Sequence, residues 1–139
     1  MGRVLVTAKI ENLGDLYEVD AGNLARDKVR TLVIDNAVVD TGATRLAMPT
    51  NLVAQLGLTP HRPETTTKPA VESIVRLFSA ARLTINGRDC LIDVAELPEG
   101  FPVIIGNVPL LLLDWVIDMR NQKLIGNPAH GGQWMQEMY

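Results

Sequence analysis

Short runs of β-branched and other apolar residues alternate along the chain with polar and turn-forming segments, which predicts a mostly β fold. Residues 4–10 read Val-Leu-Val-Thr-Ala-Lys-Ile and predict a first strand, and the polar residues 12–15 after it predict a turn. Residues 20–28 are charged and contain glycine and asparagine, so they predict a loop. Residues 29–39 are rich in valine and isoleucine and predict a hairpin that turns at Asp35–Asn36.

The second half of the chain contains the strongest hairpin signal. Asn86–Gly87 is a dipeptide that favours the two-residue turns of hairpins, and it separates the apolar segments 74–85 and 90–95. These two segments are therefore predicted to pair as antiparallel strands. The remaining predicted strands are residues 103–105, closed by Gly106, and a final hairpin of residues 115–119 and 123–125.

Two short segments have the features of helices rather than strands. Residues 49–57 begin with proline, carry an apolar face and end at Gly57, which favours a short helix with a glycine stop. Residues 109–113 predict a second brief helix. Residues 61–70 are rich in proline and threonine and predict an irregular loop.

The length of 139 residues is enough for one domain with a substantial core but not for two. The pattern therefore predicts a single mostly β domain over residues 1–139 with one or two short helices. Residues 1–28 form its N-terminal strand and loop, whose role is open, and residues 131–139 form a C-terminal tail.

The charge and the cysteine content limit the partners and the cellular compartment that are expected for this protein. Thirteen basic and sixteen acidic side chains give a net charge of −3, and no run of lysine and arginine occurs. Nucleic acids and membranes are therefore not expected as partners. The densest apolar stretch, residues 103–113, is interrupted and too short to span a membrane. Cys90 is the only cysteine and cannot form an internal disulfide, so a cytoplasmic protein is expected.

One motif carries candidate chemistry. Asp40 follows the apolar pair Val38-Val39 and is followed at once by Thr41 and Gly42. By itself the triplet is weak evidence, because aspartate, threonine and glycine all suit the turn at the end of a strand. Further along the chain, an apolar run ends in Ile104-Ile105-Gly106 and a predicted helix follows.

Taken together, these two motifs resemble the retropepsin-like aspartic proteases, and the tail from Trp115 to Pro128 resembles that of bacterial single-domain members. The resemblance covers about residues 29–129. It implies the retropepsin-like acid protease fold, which is one half of a pepsin-type enzyme: a closed, barrel-like β domain that forms a two-fold homodimer. It also implies that an apolar pair and a glycine pack beside the Asp-Thr-Gly loop.

The function that this resemblance implies is that of an aspartic endopeptidase, a hydrolase that cuts peptide or protein substrates and needs no cofactor. Only one aspartate in the chain is followed by Thr/Ser-Gly, so two subunits must each supply Asp40 to a shared catalytic pair. The pair would hold one proton and activate a water molecule at acidic to neutral pH. The residues implied as supports of this active site are Thr41, Gly42, Ala43, Ile104, Ile105 and Gly106.

The chain departs from the family pattern in two places. Viral members pair an aspartate and an arginine at the positions that Thr44 and Asn107 occupy here, so both partners are absent together. The flap that covers the active site normally carries glycines, yet no glycine lies between Thr59 and Ser79. The candidate residues for the tip of a flap are Thr67, Lys68, Pro69 and Ala70.

These departures keep a second function open, namely a dimeric peptide- or protein-binding module that has the same fold but does not cut.

Other kinds of functional site are disfavoured by the residues present. Leu32-Val33-Ile34-Asp35 resembles the start of a haloacid-dehalogenase-type motif, but Ala37 replaces its second aspartate. His61 and His130 are isolated and expected to be solvated, no group of residues has the spacing of metal ligands, and Cys90 is expected to be an inert thiol.

Overall fold

Six β-strands close into a barrel in the computed structural model, which describes residues 3–61, 64–65 and 74–135. The described strands are β1 (Leu5–Asn12), β2 (Thr31–Val39), β3 (Leu46–Pro49), β4 (Thr59–Pro60), β5 (Glu64–Thr65), β6 (Ile74–Val75), β7 (Leu77–Ile85), β8 (Arg88–Leu97), β9 (Ile104–Ile105), β10 (Trp115–Asp118) and β11 (Lys123–Gly126). The described helices are α1 (Leu13–Asp20), α2 (Thr50–Leu56), α3 (Asn107–Leu113) and the 3-10 turns Arg26–Lys28 and Pro128–His130.

The barrel strands follow the order β1-β2-β9-β3-β8-β7, and β7 pairs again with β1 to close the ring. Two neighbouring pairs are parallel, β2 with β9 and β3 with β8, and the other four are antiparallel. β4 extends the sheet beyond β7, while β5–β6 and β10–β11 are separate two-stranded sheets. The N-terminal strand is thus an integral part of the barrel, because β1 closes it.

Alternate residues of the barrel strands fill its interior with aliphatic side chains. This alternation places every second residue of each strand on the same face, so the core draws on all of the longer strands. The largest fully buried apolar side chains are Ile10, Leu46, Met48, Val53, Leu56, Leu83, Ile85, Val94, Ile105 and Leu113. The fold is therefore mostly β, as predicted.

The predictions that rest on short sequence patterns are confirmed. β7 and β8 form a hairpin around Asn86 and Gly87, and both residues have positive φ angles of 49° and 82°, as the mirror-image turns of hairpins require. α2 ends at Gly57 in the left-handed conformation, with φ of 64°. The predicted short strand before Gly106 and the final hairpin are also present.

The predicted hairpin over residues 29–39 is wrong, because β2 is one continuous strand. Its register with β1 shifts by one residue between Val6 and Ala8, opposite Asp35–Asn36. The polar pair is therefore accommodated as a bulge, which leaves an extra residue unpaired without reversing the chain. The signal for an irregularity was correct, but its type was not.

The expectation of one or two helices is also wrong, since the described chain contains three α-helices. The polar segment 12–15, predicted as a turn, begins α1. Asn12 caps this helix by accepting a hydrogen bond from the backbone N–H of Asp15 at 2.9 Å, and Leu16 anchors it in the protein. Arg30 forms a two-pronged pair with Asp15 at 2.8 and 2.9 Å and holds the pKa of that carboxyl below its usual range.

Replacing Asn12 with alanine should lower the free energy of unfolding by about 2 kcal/mol. The side chain is only 6% exposed, and its Nδ2 donates to the carbonyl of Leu56 at 2.7 Å, so the change uncaps α1 and leaves a buried carbonyl at the end of α2 unpaired. Urea unfolding measures the loss. Asn23→Ala, which removes an exposed contact to Glu18, is the control and should change stability by less than about 0.5 kcal/mol.

Asp114 and Arg88 form hydrogen bonds that join the C-terminal segment, residues 127–135, to the end of α3. Asp114 is 7% exposed and accepts hydrogen bonds from His130 Nδ1 at 2.7 Å, the backbone N–H of Met135 at 3.1 Å and Asn127 Nδ2 at 3.2 Å. Arg88 donates to the carbonyls of Leu113, Asp114 and Gly132 and stacks on the ring of Trp115. Trp115 is a packing residue, as predicted.

The Asp114 contacts should make stability depend on pH. The hydrogen bond from His130, followed by those from Met135 and Asn127, holds the pKa of Asp114 below its usual value of 3.8. Because the folded-state pKa is depressed, the stabilisation is present above the usual value and is lost as pH falls through the lowered one. Asp114→Asn should therefore be less stable than the natural chain at pH 7, and the gap should narrow below about pH 4. Urea unfolding from pH 7 to 2 tests this, and a constant gap would contradict it.

Some predictions fall on residues outside those described. Within the predicted irregular loop 61–70, Glu64–Thr65 is a short strand paired with Ile74–Val75, a correction to the loop prediction. The candidate flap-tip residues Thr67, Lys68, Pro69 and Ala70 lie outside the described residues, as does the end of the tail, residues 136–139. None of the helices in the described ranges has both the length and the apolar character needed to cross a bilayer.

Candidate active site

Asp40 lies at the surface, directly after the three buried residues that end β2. Val38 and Val39 pair in register with Ile104 and Ile105 of β9, and the backbone N–H of Asp40 continues this ladder by donating to the carbonyl of Ile105 at 3.0 Å. The strand pair therefore fixes the point at which the chain delivers the carboxylate. The apolar pair that precedes Gly106 is thus paired with the end of the strand that leads into the Asp-Thr-Gly segment.

The carboxylate is held by the loop itself. The backbone N–H of Gly42 donates to Asp40 Oδ1 at 2.9 Å, and the N–H of Ala43 donates to the carbonyl of Asp40 at 3.1 Å. A side chain at position 42 would place its Cβ 3.2 Å from Oδ1, a tight contact. Glycine thus leaves the approach of the N–H to the carboxylate unobstructed.

After Asp40, the chain crosses the end of β9 to reach β3 on its other side. Three successive N–H groups hold this crossing: Gly106 donates to Arg45 at 3.0 Å, Asn107 to Ala43 at 2.8 Å and Val108 to Thr44 at 2.9 Å, in each case to the backbone carbonyl. The described contacts at Thr44 and Asn107 are therefore made by backbone groups. They tie the segment after Asp40 to the start of α3.

Gly106 makes the crossing sterically possible. A Cβ built on it would lie 2.6 Å from the carbonyl oxygen of Arg45, 2.6 Å from the carbonyl carbon of Thr44 and 2.7 Å from the nitrogen of Arg45. All three atoms are backbone, so no side-chain rotation could relieve the contact. We call residues 40–45, between β2 and β3, the Asp40 loop. The role implied for Gly106, a support of this loop, fits the geometry.

The barrel also has an apolar patch on its outer face, one strand away from Asp40. Its members alternate with residues that point into the core, as Ala47 does between Leu46 and Met48. The patch consists of buried Ala47, Leu77 and Ala95 with half-buried Val75, Leu97 and Ile104. The patch therefore lies on strands that include β9, the neighbour of the strand that leads to Asp40.

The structure separates the two isoleucines that were expected to act alike. Ile105 is fully buried in the barrel core, whereas Ile104 lies on the outer apolar patch and pairs with Val38 in register. Thr41 and Gly42 are exposed, and Ala43 is half-buried. The role implied for Thr41, joining the loops of two subunits, stays a prediction because it concerns the dimer.

Sequence reasoning missed the outer patch and also the exposed Phe101 in the segment that leads to β9. Phe101 lies two residues before Val103, whose carbonyl accepts a hydrogen bond from Val38 at 2.8 Å. The signal was present in the sequence. Residues 46–49, 94–95 and 103–105 are continuously apolar rather than alternating, and continuous apolar strands indicate a sheet covered on both faces.

Other candidate groups lie away from Asp40 in the chain and in the sheet order. His130 is not freely solvated, because it pairs with Asp114, while His61 is 3.7 Å from Asp93. Burial, with a further contribution from Asp89, raises the pKa of the Cys90 thiol to about 12, in keeping with an inert thiol. Across the described ranges, no three histidine, cysteine, aspartate or glutamate side chains are grouped so that they could hold a metal ion.

No protein-family model matches this chain, and a search of curated proteins finds no match either. Function is therefore inferred from the geometry around Asp40 and from the sequence motifs that form it.

Proposed function

We propose that this chain is one subunit of a retropepsin-like aspartic endopeptidase whose active site contains Asp40 from each of two copies. The observation that carries the proposal is the Asp40 loop: an exposed carboxylate directly after the three buried residues that end β2, held by the N–H of Gly42 and braced by the N–H groups that follow β9. The Gly42 contact is an Asx turn, which ordinary turns also form, so the link to the Gly106 motif through the N–H groups after β9 is the more specific part of this support.

The chemistry requires two carboxylates with different tasks. One, ionised, takes a proton from a water molecule as the water oxygen attacks the scissile carbonyl carbon. The other, protonated, donates its proton to the carbonyl oxygen, and a tetrahedral diol forms. The carbon–nitrogen bond then breaks as the first carboxyl gives the proton it took from water to the amine nitrogen, while the second carboxylate takes a proton from a diol hydroxyl; a free acid and a free amine leave, and the pair returns to its starting state. Two carboxylates about 3 Å apart share one proton readily, because both cannot ionise without strong repulsion.

One copy of the chain supplies only half of this pair. No other aspartate in the sequence is followed by Thr/Ser-Gly, so the second carboxylate comes from Asp40 of a second copy across a two-fold axis. Ile104 of the outer apolar patch is only half-buried and stands on the strand beside the one that leads to Asp40, which supports a peptide substrate with an apolar side chain near the cut bond. Cys90 as the only cysteine supports a cytoplasmic enzyme.

The test is cleavage of a peptide library, followed by mass spectrometry from pH 4 to 7. The natural chain should produce new termini, and Asp40→Asn should reduce the rate roughly 100- to 10,000-fold. Asp35→Asn is the matched control, because Asp35 is an exposed aspartate on the same strand outside the loop. Identical products from the natural chain and Asp40→Asn would overturn the proposal. Saturable peptide binding without any cleavage would instead assign the non-catalytic binding module.

The two isoleucines of β9 provide a separate prediction. Ile105→Ala empties a fully buried core position and should cost about 2 to 4 kcal/mol of stability. Ile104→Ala should cost less, because the side chain is half-buried, but should lower kcat/KM for peptides with large apolar residues beside the cut bond. Urea unfolding and competition between library peptides measure the two effects. Equal effects of both substitutions on stability and on peptide choice would contradict this division.

A further inference from the structure

α3 is apolar on the side that faces solvent as well as on the side that faces the protein. Val108, Leu111 and Leu112 are 39%, 69% and 47% exposed, and their spacing of three and four residues places them on one face. We call these three residues the α3 stripe. The side chains that α3 buries are Pro109, Leu110 and Leu113. A helix that is apolar all round is normally covered on all sides.

The α3 stripe begins at the Asp40 loop. The N–H of Val108, its first residue, donates to the carbonyl of Thr44, so α3 and the loop are joined by direct contacts. At the other end of α3, Trp134 Nε1 donates to the carbonyl of Leu112, and the next residue, Met135, is also exposed. The α3 stripe therefore lies between the loop that carries Asp40 and the C-terminal residues Trp134 and Met135.

A dimer held only by two Asp40 loops would be too small to be stable. Stable interfaces bury about 800 Å² on each partner and involve roughly 20 residues a side or more, whereas the loop between β2 and β3 has only six residues, 40–45. The interface needs additional apolar surface close to the loop, and the α3 stripe is attached to it. Exposed contiguous apolar surface is the feature that marks such contacts.

We infer that the α3 stripe is the apolar centre of the contact between two copies of this chain, an inference that rests on the dimer in the proposed function. In a two-fold contact the same patch lies on both sides, so each stripe packs against its counterpart. The net charge of −3 disfavours the alternative of an anionic membrane surface as the partner.

Leu111→Glu tests this surface, because it brings two like charges together across the two-fold axis. The dimer dissociation constant is measured by sedimentation equilibrium, with Asp40→Asn present in every chain so that no self-cleavage occurs. Leu111→Glu should weaken dimerisation by about tenfold or more. Leu91→Glu is the matched control, since Leu91 is a leucine 52% exposed on β8, and it should leave the constant unchanged. Mixing Leu111→Glu with Leu111→Lys should restore dimers, which also shows that both variants fold.

The outcomes separate this inference from the proposed function. Equal dissociation constants for Leu111→Glu and its parent would overturn the stripe as the interface and leave the protease proposal standing. Weakened dimers that regain affinity on mixing, in a chain whose Asp40 form cuts no peptide, would support the interface and overturn the protease. A chain that is monomeric at all concentrations would overturn both. Vesicle binding that depends on Leu111 while dimerisation does not would assign the stripe to a membrane.

Discussion

Replacing Gly106 with alanine should lower the free energy of unfolding by about 3 kcal/mol or more. Gly106 has φ of −85° and ψ of −173°, an extended conformation open to any residue, so backbone strain is not the reason. The reason is a steric clash with neighbouring backbone atoms. The added methyl would lie 2.6 Å from backbone atoms of both Thr44 and Arg45, and either the Asp40 loop or the start of α3 must move away.

Gly100→Ala is the control for this substitution because its situation is the reverse. Gly100 has φ of +93°, which disfavours alanine, but no atom lies within 4 Å of its added Cβ. Its cost should be backbone strain alone, about 1 to 2 kcal/mol. Urea unfolding of the two variants measures the difference, and equal midpoints would mean that the crossing of the loop over β9 is not as close as described.

The displacement caused by Gly106→Ala should also lower the rate of peptide cleavage. The loop that must shift carries Asp40, and a displacement of about 1 Å in a catalytic group can cost 100-fold in rate. Activity per folded molecule should therefore fall for Gly106→Ala and stay near normal for Gly100→Ala. Circular dichroism at the assay temperature gives the folded fraction for this correction.

Features encoded by neighbouring residues were predictable from the sequence. The hairpin at Asn86–Gly87 and the end of α2 at Gly57 depend on residues that tolerate positive φ, and those residues stand at the turns themselves. The polar pair Asp35–Asn36 shows the limit of this reasoning. The same residues suit a turn or a bulge. They form a bulge because β2 pairs with β1 on both sides of them, so the chain does not reverse.

Features that depend on distant contacts were not predictable in the same way. α1 exists because Asn12 joins its start to the end of α2, a contact between residues far apart in sequence. The insertion of β9 between β2 and β3 likewise depends on pairing between residues 57 to 66 positions apart, and no local pattern encodes it. The motif at Asp40 and the one at Gly106 could be found in the sequence, but the hydrogen bonds that join them belong to the folded chain.

The strongest test of a shared active site is to dilute functional subunits with inactive ones. A fixed amount of the natural chain is mixed with increasing Asp40→Asn chain, left to exchange subunits, and assayed at saturating peptide. If each site needs Asp40 from two subunits, a ninefold excess of the variant leaves only one natural subunit in ten with a natural partner. Activity should then fall about tenfold, although the amount of natural chain is unchanged.

The result depends on how many Asp40 carboxylates a site requires, because the mixed dimer retains one. An enzyme that worked with a single carboxylate would keep its full activity at every mixing ratio, and that outcome would contradict the shared site. An equal excess of an unrelated inert protein controls for loss of substrate to nonspecific binding. Dilution of the natural chain below its dimer dissociation constant should lower the activity per subunit for the same reason, since a separated subunit retains Asp40 but loses the partner that completes the pair.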